Sequence, residues 1–192
     1  MLKGKWTTSV FVICIFSASI AATAQEVIHA LTGTVTSIDA PAKTITVFTN
    51  DRSGGLFKDM TDPNTPIISD KNIRAVSTSV DTFNKKGAYA IIFYYGAGDG
   101  RTAVALRNLG AGPFSRDTGT IVKIDGKNSI SIANGSGAIN SFRLSATTVA
   151  ETDYGAVIGY KYQPHMGDRV RITAMAVNGN ATALFINTLV VN

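Results

Sequence analysis

Two stretches of this chain spell nearly the same strand. Thr32-Gly33-Thr34-Val35-Thr36-Ser37-Ile38-Asp39 and Thr118-Gly119-Thr120-Ile121-Val122-Lys123-Ile124-Asp125 agree at Thr, Gly, Thr, Ile and Asp, and set Val35 against Ile121. Each runs into a turn, Ala40-Pro41-Ala42 or Gly126-Lys127-Asn128, and then into a second alternating segment. Ile45 and Val47 share a face of that segment in one copy, Ile130 and Ile132 in the other. The far ends match as well. Gly87 opens Gly-Ala-Tyr-Ala-Ile-Ile and Gly167 opens Gly-Asp-Arg-Val-Arg-Ile; without gaps from there, Thr102-Ala103 falls on Thr182-Ala183 and Leu109 on Leu189. Two matched ends in the same order point to an internal repeat, which limits the fold to small units that each close a core of their own.

Period-two alternation predicts strands at 32–39, 43–49, 73–79, 88–95 and 102–108 in the first copy. In the second it predicts them at 118–125, 128–133, 139–145, 169–177 and 181–190. The segments Ala97–Gly100 and Val177–Asn180 read as hairpin turns, because Gly, Asn and Asp tolerate positive φ. Asp59 to Pro66 reads as an irregular loop, 70–75 as a helical turn, and Tyr154–Pro164 as an excursion of the second copy. Glycines beside Pro113 read as a junction. About five short strands in about 75 residues suit a small Greek-key barrel of the OB type. Closure also removes exposed edges, which favours the barrel over a two-sheet sandwich. The expected fold is all-β: two tandem OB-like barrels at 25–109 and 118–192, joined by a linker at 110–117, after a cleaved signal peptide at 1–24.

The signal-peptide reading rests on Lys3 and Lys5, the apolar run Val10 to Phe16, and the small-residue exit Ala22-Thr23-Ala24. The run is shorter than the roughly 20 apolar residues a membrane-spanning helix needs, so no transmembrane anchor is expected. Cys14 lacks the small-residue context of a lipid-modified cysteine. The expected location is therefore periplasmic or extracellular. The only Cys and the only Trp leave with the signal, which rules out disulfides, Cys–zinc sites and a cysteine nucleophile in the mature part. Its stability then rests on apolar burial, and a chain of about 168 residues buries roughly 70% of its unfolded surface. The formal charge falls from +5 to +3 with the loss of Lys3 and Lys5. That balance lacks the basic stripe of a nucleic-acid binder, and no nucleic-acid partner is expected.

The text Gly-Thr-Val-x-x-Ile-Asp, a turn, Thr-Ile-x-Val, and later Gly167-Asp168-Arg169-Val170-Arg171-Ile172 resembles the small OB-like barrels of bacterial exported proteins grouped as DUF5666. The resemblance covers most of the mature chain in two copies, and the first departs from it where Gly87-Ala88 lacks the Asp. It implies fold and compartment and brings no catalytic residues. The opening strands are also similar to those of periplasmic copper-metallochaperone barrels, which use a His, a Met pair and a Trp. This chain has no Met-x-Met and no Trp beyond residue 24, so the copper ligand set is missing.

Candidate chemistry is sparse. His165-Met166 would need further soft ligands to hold a metal, and Met alone commonly fills gaps at barrel ends. Asp59, Asp62, Asp70 and Asp81 lack the spacing of an EF-hand loop. Glu151 and Asp153 are neighbours in sequence, with nothing to set them across a cleft as sugar hydrolysis requires. Asn134-Gly135-Ser136-Gly137 is a turn rather than a nucleophile elbow. The best binding patch is drawn from Arg169 and Arg171, which alternate out from Val170 and Ile172, beside Tyr160 and Tyr162, which share a face if that stretch is extended. Such a patch suits an acidic glycan or an acidic surface on an envelope protein. The expectation is a non-enzymatic exported binding or scaffolding module without cofactor or metal. The alternatives are an envelope protein assembling through strand edges, and a periplasmic metal-binding protein.

Overall fold

The computed structural model describes residues 27–39, 41, 44–49, 55–59, 86–98, 101–110, 112–177 and 180–189. The expected signal peptide, the expected strand at 73–79, the helical turn at 70–75 and Asp62, Asp70 and Asp81 lie outside the described residues. The chain is all-β. Its strands are β1 (His29–Asp39), β2 (Thr44–Phe48), β3 (Gly55–Asp59), β4 (Tyr89–Tyr95), β5 (Thr102–Asn108) and β6 (Phe114–Asp125), followed by β7 (Ser129–Asn134), β8 (Ile139–Arg143), β9 (Val149–Thr152), β10 (Gly155–Ile158), β11 (Arg169–Val177) and β12 (Asn180–Leu189). No helix among the described residues is long and apolar enough to cross a membrane.

The first five strands form a closed barrel in the order β1-β2-β3-β5-β4, with β3 and β5 parallel and the other neighbours antiparallel. The second sheet follows the same course. β11 and β7 flank β6, β8 follows β7, β12 follows β11, and a single parallel pairing of Thr182 with Arg143 completes the ring. β9 and β10 extend that sheet beyond β12 as a hairpin.

The correspondence reaches individual residues. β1 and β6 each break register against the next strand at equivalent places, between Val35 and Ser37 and between Ile121 and Lys123. The closing hairpins break register between Phe93 and Tyr94 and between Thr173 and Ala174. Such bulges bend a strand and sharpen its twist, as a small barrel requires. Gly87 and Gly167, both at positive φ, donate their N–H groups to the carbonyls of Val35 and Ile121. Gly33 and Gly119 sit where the strands approach most closely. A Cβ on Gly33 would lie 2.5 Å from Val47 Cγ1 and 2.7 Å from the Phe48 carbonyl, and one on Gly119 would run into the Ala133 carbonyl. The glycine of each Thr-Gly-Thr text is thus required by the close approach of the strands.

Each barrel fills with the apolar positions its alternation marks. Val35, Ile45, Val47, Ala90, Ile92 and Leu106 pack inside the first. Ile121, Ile130, Ile132, Phe142, Val170, Ile172 and Ile186 pack inside the second. A third cluster lies between the two: Ala30, Ile91, Phe93 and Ala105 from the outer wall of the first barrel meet Val149 and Phe185 of the second. Polar links accompany it. The Ala156 N–H donates to the Ile28 carbonyl at 2.7 Å, and Arg107 donates to the Leu184 carbonyl at 3.4 Å. Glu151 accepts the Ala30 N–H at 2.6 Å and lies 2.6 Å from His29 Nδ1. The units are packed against each other, not strung on a linker.

Several details differ from the sequence reading. The expected linker at 110–117 is half strand, since β6 begins at Phe114 just past the cis Gly112–Pro113 peptide and pairs with β11 from Met175 onward. β3 falls in a stretch where the alternation predicts no strand; its pairing to β2 comes from the barrel rather than from local propensity. Part of the Tyr154–Pro164 excursion is strand β10, which pairs with the equally unexpected β9 through a turn held by Thr152 Oγ1 donating to the Gly155 carbonyl.

Candidate functional site

The interface between the barrels opens at one end into a polar cleft of about 190 Å³ lined by Thr32, Thr49 and Tyr89 of the first unit and Arg116, Thr118, Arg171 and Thr173 of the second. The second unit's share is a compact square. Register places Arg116 opposite Thr173 and Thr118 opposite Arg171 on neighbouring strands, so two guanidinium groups stand diagonally with a hydroxyl beside each. These residues point outward because Gly119 on β6 and Val170 and Ile172 on β11 point into the barrel.

Tyr89 is the first unit's aromatic contribution, fixed on two sides. Its ring lies 5.0 Å from that of Phe114, and the Arg116 guanidinium stands 4.8 Å from its centroid. Arg116 Nε donates to the Tyr89 hydroxyl at 3.2 Å, and that hydroxyl lies 3.5 Å from Thr173 Oγ1. Arg116 is thereby held by stacking and by one hydrogen bond through Nε, and its side chain lines the cleft. Thr49 and Thr173 are buried, so the floor of the cleft carries hydroxyls withdrawn from bulk water. Arginine presents a rigid fork of donors that matches carboxylate, sulfate or phosphate oxygens, and threonine hydroxyls can complete the cage.

Of the residues the sequence singled out, only Arg171 belongs to this cleft. Arg169 shares its face of β11 but is exposed beyond the cleft, opposite Thr120 and Leu189. The two tyrosines do not join the arginines. Gly159–Lys161 forms a 3-10 turn, whose three-residue period breaks the extended alternation, so Tyr160 faces solvent while Tyr162 is buried in the second barrel's core. Burial raises the Tyr162 hydroxyl above its ordinary pKa. The patch of Tyr160, Tyr162, Arg169 and Arg171 is therefore divided between a core, a surface and a cleft. Arg116 and Tyr89 were missed. Arg116 fell in the expected linker, and nothing in one copy's alternation shows that Tyr89 faces the other copy.

A second polar group lies elsewhere on the interface. His29 stacks at 5.7 Å on Tyr94, whose pKa is raised by burial and then by the Glu151 charge; Arg101 stands 6.0 Å over the same ring. His165 is exposed, and both its N–H and its ring approach Asp168. Among the described residues no three of His, Cys, Asp and Glu gather as metal ligands would. No protein family, curated protein or solved structure matches this chain.

Proposed function

We propose that this chain is an exported, non-enzymatic binding module whose working site is the cleft between its barrels, and that the site takes a small anionic group such as the carboxylate of an acidic glycan. The observation that carries the reading is the diagonal pair Arg116 and Arg171, set among threonine hydroxyls and walled by Tyr89 of the other unit. Two positive groups at diagonal register positions on one sheet face favour an anion between them. The volume suits one acidic group with part of the sugar ring that bears it. Assembly through strand edges has less support: the first barrel is closed, and the outer side of β10 receives the Ile28 carbonyl.

Calorimetry with oligogalacturonate and with its neutral methyl ester tests the proposal. The acid should bind and the ester should not. Arg116→Ala and Arg171→Ala should each weaken binding about tenfold or more, since a charge-assisted hydrogen bond contributes about 1.5–3 kcal/mol. Raising the salt should weaken binding further. Equal affinity for acid and ester, or binding indifferent to both substitutions, would sink the reading.

A further inference from the structure

The pattern that builds the arginine cleft continues beyond it. β6 and β11 run antiparallel, and their register sets Arg116 opposite Thr173, Arg171 opposite Thr118 and Arg169 opposite Thr120. Ile121, Val170 and Ile172 point into the barrel, and the register is unbroken from Met175 to Arg169, so all six of these side chains leave the same outer face. Three successive rungs of one ladder therefore carry the same pair, an arginine against a threonine. Rungs on one face are two residues apart, about 7 Å. The first two rungs are the second unit's share of the cleft, and the third lies outside it.

Nothing in the fold engages the guanidinium of the third rung. Arg169 and Thr120 are exposed, and among the described residues Arg169 has no hydrogen-bond or ion-pair partner. Asp168, the acid beside it in sequence, is taken up by His165: it accepts that residue's backbone N–H at 2.8 Å and lies 3.5 Å from its Nδ1. Along this face β11 climbs from floor to surface, with Thr173 buried, Arg171 half-buried and Arg169 exposed. A ligand chain seated in the cleft thus has a path to solvent that passes an arginine with uncommitted donors.

We infer that Arg169 and Thr120 form a second acidic subsite, so that the ligand is a chain of acidic sugars whose carboxylates are taken by successive rungs. The inference rests on the cleft's taking an anion, and adds to it a requirement for length and the residue that reads it. A lone acid is served by the first two rungs. An arginine on each rung at even spacing suits an anion that recurs along a chain, and the guanidinium fork matches a carboxylate. A single-stranded nucleic acid fits less well, because the faces that bind it offer aromatic rings on which bases stack. The ring of Tyr89, the aromatic of the cleft, is already packed against Phe114 and Arg116.

Calorimetry with galacturonate and with trigalacturonate tests it on wild type, Arg169→Ala and Arg143→Ala. Arg143 is an equally exposed cation on β8, away from the ladder, so its removal matches the change in net charge. Wild type should bind the trimer about tenfold more tightly than the monomer: about threefold from the number of acids, and about threefold or more from the second contact, as an exposed charge pair supplies. Arg169→Ala should cut the ratio to about threefold, and Arg143→Ala should leave it as it is. A wild-type ratio of about threefold or less overturns the inference while the cleft still takes acids. A ratio that survives Arg169→Ala, or that falls equally in Arg143→Ala, does the same. Failure of both acids to bind overturns the reading of the cleft itself, and the inference with it. Tighter binding of an oligothymidylate than of trigalacturonate overturns the choice of a glycan.

Discussion

Phe185→Ala tests whether the two barrels form one body. Phe185 lies on the outer wall of its own barrel, yet is only 4% exposed because Ala30, Ile91, Phe93 and Ala105 of the other barrel cover it together with Val149. A buried phenylalanine removes about 150–250 Å² from water. At about 25 cal/mol per Å² that burial is worth roughly 4–6 kcal/mol, and truncations of buried phenylalanine cost about 3–5 kcal/mol. Joined only through residues 110–113, the barrels would leave Phe185 on a free surface, where a substitution changes stability by about 0.5 kcal/mol or less. The two arrangements thus differ several-fold in the expected loss. Urea titration followed by far-ultraviolet circular dichroism measures it: the midpoint should fall by the equivalent of about 3–5 kcal/mol with the slope unchanged. A loss below about 1 kcal/mol would show that the interface contributes little, and the cleft built on it would lose its wall.

Gly119→Ala should destabilise by about 1–3 kcal/mol or more, because its Cβ meets the backbone carbonyl of Ala133, whereas Gly135→Ala, with open space around it, should change stability by less than about 1 kcal/mol; similar effects in urea titrations would contradict the close-approach argument. Glu151 is raised above its ordinary value of 4.5 by burial, against the opposing hydrogen bonds of His29 and Ala30. A carboxyl raised in the folded state favours folding below its unfolded pKa, and that contribution is lost as pH rises through the folded value. Wild type should therefore lose stability relative to Glu151→Gln as pH rises above 4.5, and parallel melting profiles would refute this. Ile91→Arg should prevent cooperative folding, since it buries an unpaired charge at the inter-barrel cluster, while Arg171→Ile should keep the fold and lose acid binding; thermal melts and the calorimetric titration distinguish the two.

Much of the barrel is legible in the sequence because its constraints are local. Gly33 and Gly119 mark close strand approach, Gly87 and Gly167 mark turns, and Ile45, Val47, Ile130 and Ile132 mark the inner face by period two. β3 and the β9–β10 hairpin were not legible, because their pairing is set by a sheet already closed around them. The candidate site was legible only at Arg171. Its partners depend on which outer wall of one unit meets which wall of the other, and alternation identifies an outward residue without saying what it faces. Tyr162 failed for the complementary reason: one 3-10 turn shifts the phase, and a residue read as surface becomes core.

The cleft arises from a difference between equivalent positions. Gly33 pairs with Ala90 in the first unit as Gly119 pairs with Val170 in the second, so Tyr89, Ile91 and Phe93 correspond to Arg169, Arg171 and Thr173, and Ala30 and Thr32 to Arg116 and Thr118. One wall is apolar and the other carries three arginines. The apolar wall cannot stay in water, and it cannot cover the arginine wall either, because stripping water from guanidinium groups costs more than the apolar contact returns. The packing resolves this by offset. Ile91 and Phe93 turn to Phe185 and Val149, while Tyr89, an aromatic with a polar tip, reaches the arginine side with Thr32 and Thr49 and stacks on Arg116. What remains between the walls is a space that neither unit can fill with its own side chains without burying a charge or exposing a hydrocarbon. A small anion satisfies both conditions, so the proposed binding role rests on the asymmetry of the two walls more than on any single residue.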